Sequence, residues 1–301
     1  RCILQFMSDL VRITDVSPRD GLQNEPGVIP TDDKVKLVQL LCKTGVDEIE
    51  VTSFVSPKWV PQLGDGSEVL TRLAKIFPAG SSRPVFSALV PNEKGMNAGI
   101  DVNRGAGFAI LDKISLFTAA SETFSQRNTN ASIDESIQRF RPVLSIAADH
   151  AMGVRLYISC IVACPFEGPI NPARVKDVAD KLLWLVSHSD FFRESGGRTG
   201  FPSIELDLGD TIGAATPGTI KPVIERIRAL PGWNDVTGDV PPIVLHLHDT
   251  FGRAAECVRA ALDLGVRSFD GSVAGLGGCP YASTPLPDGT IQRAPGNIAT
   301  E

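Results

Sequence analysis

The stretch Val244-Leu-His-Leu-His-Asp-Thr250 alternates apolar residues with two of the chain's four histidines. Residues two apart on a strand share a face, so His246 and His248 are placed to converge on one point. Such a pair, taken alone, is more often a polar strand face than a ligand set, and its surroundings must decide. Comparable β-rich runs recur at 10–17, 47–54, 84–91, 108–117, 153–162, 203–210 and 268–275. Between them, helical spacing of apolar residues covers 32–44, 66–77, 132–152, 172–188, 217–229 and 252–265. Thr31, Ser132 and Thr216 stand at helix starts as caps, with Pro217 at a first helical position.

Strand-helix alternation with strands covered on both faces implies a parallel sheet. Eight such units in 301 residues predict a (β/α)8 TIM barrel, with an open doubly wound sheet as the competitor. Longer connections at 189–202, 231–241 and 280–295 read as insertions in one catalytic domain spanning 1–301, and the Gly-rich stretch from about 275 to 296 reads as a flap loop. A barrel would normally add a helix after the eighth strand. The chain is therefore expected to lack the usual C-terminal helical region, or to have that gap covered by a partner.

Composition narrows the class further. A chain that is 43% hydrophobic with a formal charge of -6 is an ordinary globular one, and no nucleic-acid or anionic-membrane partner is expected. No apolar run is long enough to span a bilayer, and the start Arg1 to Met7 lacks a signal-peptide layout, with Met7 a candidate initiator. Six scattered cysteines fit reduced thiols in the cytoplasm, and the Cys160, Cys164 pair fits a buried strand end better than a metal finger.

The expected strand ends gather polar residues. Ser17-Pro-Arg-Asp-Gly-Leu-Gln23 follows the first strand, Glu50 lies in the second, Asp207-Leu-Gly-Asp210 ends the sixth, and Gly296-Asn297 follows the eighth. Singly, Arg19 and Asp20 fit a surface ion pair, Glu50 a partner for a lysine, and Asp210 a helix cap. Together they place acids, imidazoles, an amide and an arginine at one barrel mouth. A carboxylate, two imidazoles and an amide oxygen suit a six-coordinate divalent metal, Mg2+ or Mn2+, better than zinc, since no thiolate belongs to the set. Such an ion chelates a hydroxy acid, while Arg19 offers a permanent charge to a developing oxyanion. The run Gly275-Leu-Gly-Gly-Cys-Pro280 lacks the Lys-Ser/Thr of a P-loop and reads as a flap that brings a thiol over the site.

These segments resemble 3-hydroxy-3-methylglutaryl-CoA lyase, from about residue 11 to the end. The resemblance rests on residues 18–25, 52–62, 209–213, 246–250, 272–282 and 296–301, and the Cys-bearing flap motif is its specific mark. It implies cleavage of the acyl-CoA substrate to acetyl-CoA and acetoacetate, a retro-Claisen reaction. By position, Asp20, His246, His248 and Asn297 would hold the metal, and Arg19 would bind the thioester oxygen of the substrate. Cys279 would be the flap thiol that helps protonate the enolate. Glu50 and Asp210 match residues that support the site, and Gln23 matches a substrate-side polar neighbour of Arg19. Lys58 is a candidate for gripping CoA. A homodimer is also expected, although the region that normally helps subunit pairing is missing.

This sequence departs from the family pattern at Asp15 and Ser17, where Glu and Gly are usual, and at Asp207, where a small Ser is common. The connection 283–295 is longer than usual, and 88–92 varies a Leu-Thr-Pro-Asn segment. The alternatives are a related hydroxyacyl-CoA lyase or Claisen-type synthase, and, more remotely, a non-catalytic binding barrel.

Overall fold

The structure is a computed structural model that describes residues 10–189, 204–230, 243–278, 284–285, 291–292 and 296–300. The expected insertions at 189–202, 231–241 and 280–295, the residue Cys279 and Met7 lie wholly or largely outside them.

Eight parallel strands close into a barrel: β1 (Arg12–Asp15), β2 (Glu48–Ser53), β3 (Val85–Leu89), β4 (Lys113–Ala119), β5 (Gly153–Ser159), β6 (Ile204–Asp210), β7 (Ile243–Leu247) and β8 (Ser268–Gly271). They neighbour one another in chain order, and β8 pairs with β1 through Arg12↔Ser268 to Asp15↔Gly271. Helices α1 (Thr31–Leu41), α2 (Gly66–Ile76), α3 (Glu93–Ala106), α4 (Glu122–Thr129), α5 (Ile133–Gln138), α6 (Phe140–Asp149), α7 (Pro172–Ser187), α8 (Pro217–Arg228) and α9 (Ala254–Asp263) lie between strands. The (β/α)8 expectation holds, and the open-sheet competitor falls with the closing β8 and β1 pair. Among the described residues no helix is long and apolar enough to cross a membrane.

The apolar core lies between strands and helices. In β5, Val154, Leu156 and Ile158 belong to it, while the intervening Arg155 and Tyr157 are buried with partners drawn from other strands. The Arg155 guanidinium reaches Glu205 at 2.9 Å, Asp270 at 2.9 Å, Thr14 at 2.8 Å and Glu48 at 3.3 Å, and so ties together four strands through the barrel interior. Lys113 adds bonds to Glu48 at 2.6 Å and to Glu205 at 2.9 Å. Where many barrels fill this space with branched apolar side chains, this one builds an ionic layer. Its pairing offsets the desolvation of each charge, and removal of one partner strands the others.

Boundaries differ from expectation where local chemistry competes. Thr31 does not cap α1: Pro30 precedes the helix without a side-chain cap, and the Thr31 hydroxyl donates to Asp65 at 2.8 Å. The expected 132–152 helix is two helices, α5 and α6, with Arg139 at the break, and α3 and α4 had not been expected as helices. Ser132 and Thr216 do cap, each within a reciprocal capping box.

After β5 a short ribbon pairs Ala163–Cys164 with Gly168–Pro169 and delivers Glu167 to the start of α4. The Glu167 carboxylate accepts bonds from the Ser121 hydroxyl, the Thr123 amide and Arg174, each at 2.8 Å. Partial burial alone would raise its pKa, but these donors hold it at about 2, below its ordinary 4.5. The folded value lies below the unfolded one, so the contribution is present above about pH 4.5 and is lost as pH falls toward 2. Glu167→Gln should therefore lower stability at neutral pH by roughly 1 kcal/mol, because solvent screens the site. Urea midpoints of the two proteins should converge between about pH 7 and about pH 3. A gap that stays constant with pH would contradict this.

Candidate metal centre

The C-terminal ends of the strands assemble the site. Immediately after β1 the chain makes a π-helical turn, Ser17–Gly21, in which the Asp20 and Gly21 amides both return to the Val16 carbonyl. Turns of this kind recur at functional sites, and this one turns Arg19 inward and Asp20 toward β7. The Arg19 Nε donates to Glu50 Oε2 at 2.5 Å and Nη1 to Asp20 Oδ1 at 2.7 Å. Arg19 is only 7% exposed, so the bland reading of a surface ion pair is corrected, and Glu50 partners an arginine and not a lysine. Burial opposes the charge on Arg19, but Glu50 and then Asp20 overcome it and keep the guanidinium protonated at any working pH. Against the same burial, Arg19 holds the Asp20 carboxyl well below the usual carboxylate range.

His246 and His248 leave β7 on the same face, with their Nε2 atoms 3.3 Å apart. His246 Nδ1 lies 3.0 Å from Asp270 Oδ2 and His248 Nδ1 lies 2.8 Å from the Thr211 carbonyl. A carboxylate and a carbonyl only accept, so each Nδ1 donates and each ring turns its Nε2 toward the other. Two imidazole nitrogens at that separation are satisfied by a cation or a proton between them. Asp20 Oδ2 completes a triangle at 3.8 Å from one Nε2 and 3.9 Å from the other, and the three ligand atoms lie within 4.8 Å of one another.

Asn297 arrives from 277 residues away. Its Nδ2 donates to Asp20 Oδ2 at 2.9 Å and to the Leu276 carbonyl at 3.0 Å, while its buried Oδ1 has no partner among the described residues. Backbone pairing puts it there: His248 bridges Asn297, the Asp249 amide donates to Gly296, and the Ile298 amide donates to Leu247. The residues 296–300 thus form a strap across the ends of β7 and β8. Gly277, at φ +102°, packs against this strap, and a Cβ there would lie 2.7 Å from the Asn297 amide. A side chain at residue 277 would displace the candidate ligand.

The donor set fits a divalent ion: one carboxylate and two imidazole nitrogens converge, all buried or nearly so, and the Asn297 side chain adjoins them through its amide bond to Asp20. Asp270 is the supporting group that sequence reasoning missed. Its Oδ2 takes His246 Nδ1–H and the Tyr157 hydroxyl at 3.1 Å and its Oδ1 takes Arg155 at 2.9 Å, and so it fixes the ring as carboxylates do behind metal-bound histidines. Its signal was the alternation of Phe269 and Asp270 in a strand next to the histidine strand.

Asp210 does not face the ion triangle. Its carboxylate accepts from the Ala214 amide at 3.0 Å and the Ala215 amide at 2.9 Å, the helix-cap type of bond, and so holds the turn whose Thr211 carbonyl orients His248. Gln23 sits half-buried one turn beyond Asp20, and among the described residues no hydrogen bond joins it to the site. Cys279 lies outside the described residues.

Fold and site together define a (β/α)8 barrel with a candidate divalent-metal centre at its C-terminal mouth. A family profile described as HMGL-like matches residues 10–301. The mitochondrial hydroxymethylglutaryl-CoA lyase of Bos taurus is 42% identical over 292 residues, which cover 97% of this chain and 76% of that protein. Among solved structures, a hydroxymethylglutaryl-CoA lyase from Pseudomonas aeruginosa is 40% identical with a TM-score of 0.76, over 97% of this chain and 82% of that one. An HMG-CoA lyase from Acinetobacter baumannii, in complex with coenzyme A and 3-methylmalate, is 32% identical with a TM-score of 0.74, over 97% and 81%. The chain belongs to the HMGL-like family, among the hydroxymethylglutaryl-CoA lyases.

Proposed function

We propose that the chain cleaves 3-hydroxy-3-methylglutaryl-CoA to acetyl-CoA and acetoacetate with Mg2+ or Mn2+ held by Asp20, His246, His248 and Asn297. The observation that carries this reading is the convergence of the Asp20 carboxylate with the Nε2 atoms of His246 and His248, beside a buried, permanently charged Arg19 and with the Asn297 amide bonded to Asp20. The family membership supplies the substrate class. Held by these residues, a divalent ion would act as a Lewis acid toward the substrate's oxygens and would lower the hydroxyl pKa.

The chain's own groups do the rest. When water takes the hydroxyl proton, the electron pair left on oxygen forms the ketone of acetoacetate, the carbon-carbon bond breaks, and the thioester takes the electrons as an enolate. Glu50 and Asp20 occupy Arg19 Nε and Nη1, and among the described residues Nη2 is left to meet the enolate oxygen. Asp210 and Asp270 hold the two imidazoles at fixed tautomers, and Cys279 delivers the proton that completes acetyl-CoA. Lys58, exposed on the connection after β2 at the same end of the barrel, is the proposed contact for CoA phosphate. A reducing, cytoplasmic setting is supported by Cys42, Cys160, Cys164 and Cys257, none of which forms a disulfide, while the bovine relative is named mitochondrial. We take the solution state to be a homodimer, which sedimentation would check.

The test is a coupled assay for acetoacetate across hydroxyacyl-CoA thioesters, with Mg2+ and with Mn2+. Turnover of the hydroxymethylglutaryl thioester is expected, and its absence with both ions would refute the reading. Cys279→Ser should depress turnover while leaving bound metal unchanged. Equal losses of both would contradict the role given to the thiol.

A further inference from the structure

Asp15 ends β1 fully buried, and its two carboxyl oxygens take donors from opposite ends of the chain. Oδ1 accepts from the Ser17 amide at 2.9 Å, and Oδ2 accepts from the Thr300 hydroxyl at 2.8 Å. The first bond opens the π-helical turn that presents Asp20. The second holds the far end of the strap that presents Asn297. One side chain thus fastens two segments whose own side chains meet 277 residues apart, where Asn297 Nδ2 donates to Asp20 Oδ2.

Ser17 adds a fastening on the β8 side. Its hydroxyl oxygen accepts from the Val273 amide at 2.7 Å and lies 3.1 Å from the Ser272 hydroxyl oxygen. Ser272 in turn gives its amide to the Ile298 carbonyl and accepts the Thr300 amide on its own carbonyl. Gly271 leaves room for this closure, since a Cβ there would lie 3.1 Å from Thr300 Oγ1. Glycine, usual in the family at 17, has no hydroxyl to offer, so this fastening belongs to the sequence at hand. Neither Asp15 nor Thr300 is among the proposed ligands, and any effect they have on an ion is exerted through the segments they hold.

We propose that the bond between Thr300 and Asp15 is a latch that sets the spacing of Asp20 and Asn297, which makes Asp15 and Thr300 positioning residues for the candidate metal centre. Backbone bonds alone hold the strap to Leu247, Asp249 and Ser272, and all of them break when a short segment lifts. A buried bond to a carboxylate resists that lifting more strongly than a bond between neutral groups. The inference rests on Asp20 and Asn297 being metal ligands, and the test separates the two.

Thr300→Val keeps the branched shape and the backbone bond to Ser272 and removes only the hydroxyl. In ion-free protein, hydrogen exchange at the amides of residues 298 and 300 should quicken about 10-fold, the effect of one lost bond to a charged group, while the urea midpoint stays that of the wild type. Mn2+ affinity, read by isothermal titration, should fall about 10-fold, the low end of the loss seen when an outer partner goes. Thr300→Ser, which keeps the hydroxyl, should restore both readouts to near the wild-type values. Asp15→Ala should weaken Mn2+ binding further, by up to about 100-fold. Thr300→Val added to it should change nothing more, because two losses on one shared bond do not add. If Asp15→Ala fails to fold, the two Thr300 variants decide alone. Unchanged exchange in Thr300→Val, equal losses in the Val and Ser variants, or additive losses in the double variant overturn the proposal. Faster exchange with Mn2+ affinity unchanged overturns the positioning role. A wild-type protein that binds no Mn2+ overturns instead the assignment of the metal centre, and the exchange rates still decide whether the latch exists.

Discussion

His248→Ala is expected to remove both bound metal and turnover. The imidazole supplies one of two convergent nitrogens, held by its Nδ1 bond to Thr211, and alanine leaves no donor in reach of the Asp20 and His246 pair. Losing an outer partner of a ligand typically costs 10–100-fold in metal affinity, so losing the ligand itself should exceed about 100-fold. Isothermal titration with Mn2+, read beside acetoacetate formation, checks this. The fold should survive, because His248 lies beyond the last residue of β7 and takes no part in the ionic layer. A variant that folds and still binds Mn2+ as the wild type does would remove His248 from the ligand set.

The second large effect is at Arg19. Arg19→Met leaves Glu50 buried with no cation at its Oε2, a situation that costs about 3–5 kcal/mol when one member of a buried pair is removed. It also removes the donor proposed for the enolate oxygen, worth about 10²–10³ in turnover. Arg19→Lys separates the two losses. Lysine keeps the charge near Glu50 and most of the stability, but a single ammonium cannot span Glu50, Asp20 and a substrate oxygen as a planar fork does. Its turnover should fall about 100-fold or more with urea stability near that of the wild type. Full activity in Arg19→Lys would sink the role assigned to Arg19.

The strands were legible because each carries a β-branched or apolar run of the right length, and eight of them with helical spacing between leave few architectures. The inner face was harder to read. Val154 to Ile158 has the alternation of a half-exposed strand, since Arg155 and Tyr157 at every second position are also what a wet surface shows. Only closure reveals that Arg155, Glu205, Glu48 and Lys113 meet in the interior. Helix α3 escaped notice because Gly95 and Gly99 weaken its helical signal. They are there for close approach, as a Cβ on Gly95 would lie 2.9 Å from the Phe54 carbonyl. Of the candidate site, the shared face of the histidine pair was readable from spacing, its role as a ligand set from the company of Arg19, Asp20 and Glu50 at the strand ends. Asn297 was placed at the barrel mouth by its position after the eighth strand and assigned by name as a ligand through the family resemblance, while its actual placement depends on pairing with a strand some fifty residues away. Asp270 was missed because its function comes from its neighbour on β7, not from anything adjacent in sequence.

The strap at 296–300 has a bearing on biosynthesis. The strap lies downstream of every other proposed donor, so a nascent chain that has not yet made it has only Asp20 and the two imidazoles to offer. The strap then decides how fully an ion stabilises the fold: an ion present at about 100 times its dissociation constant adds about 2.7 kcal/mol to the folded form. Chains that end before the strap forgo that reinforcement, which makes them the natural prey of quality-control proteases.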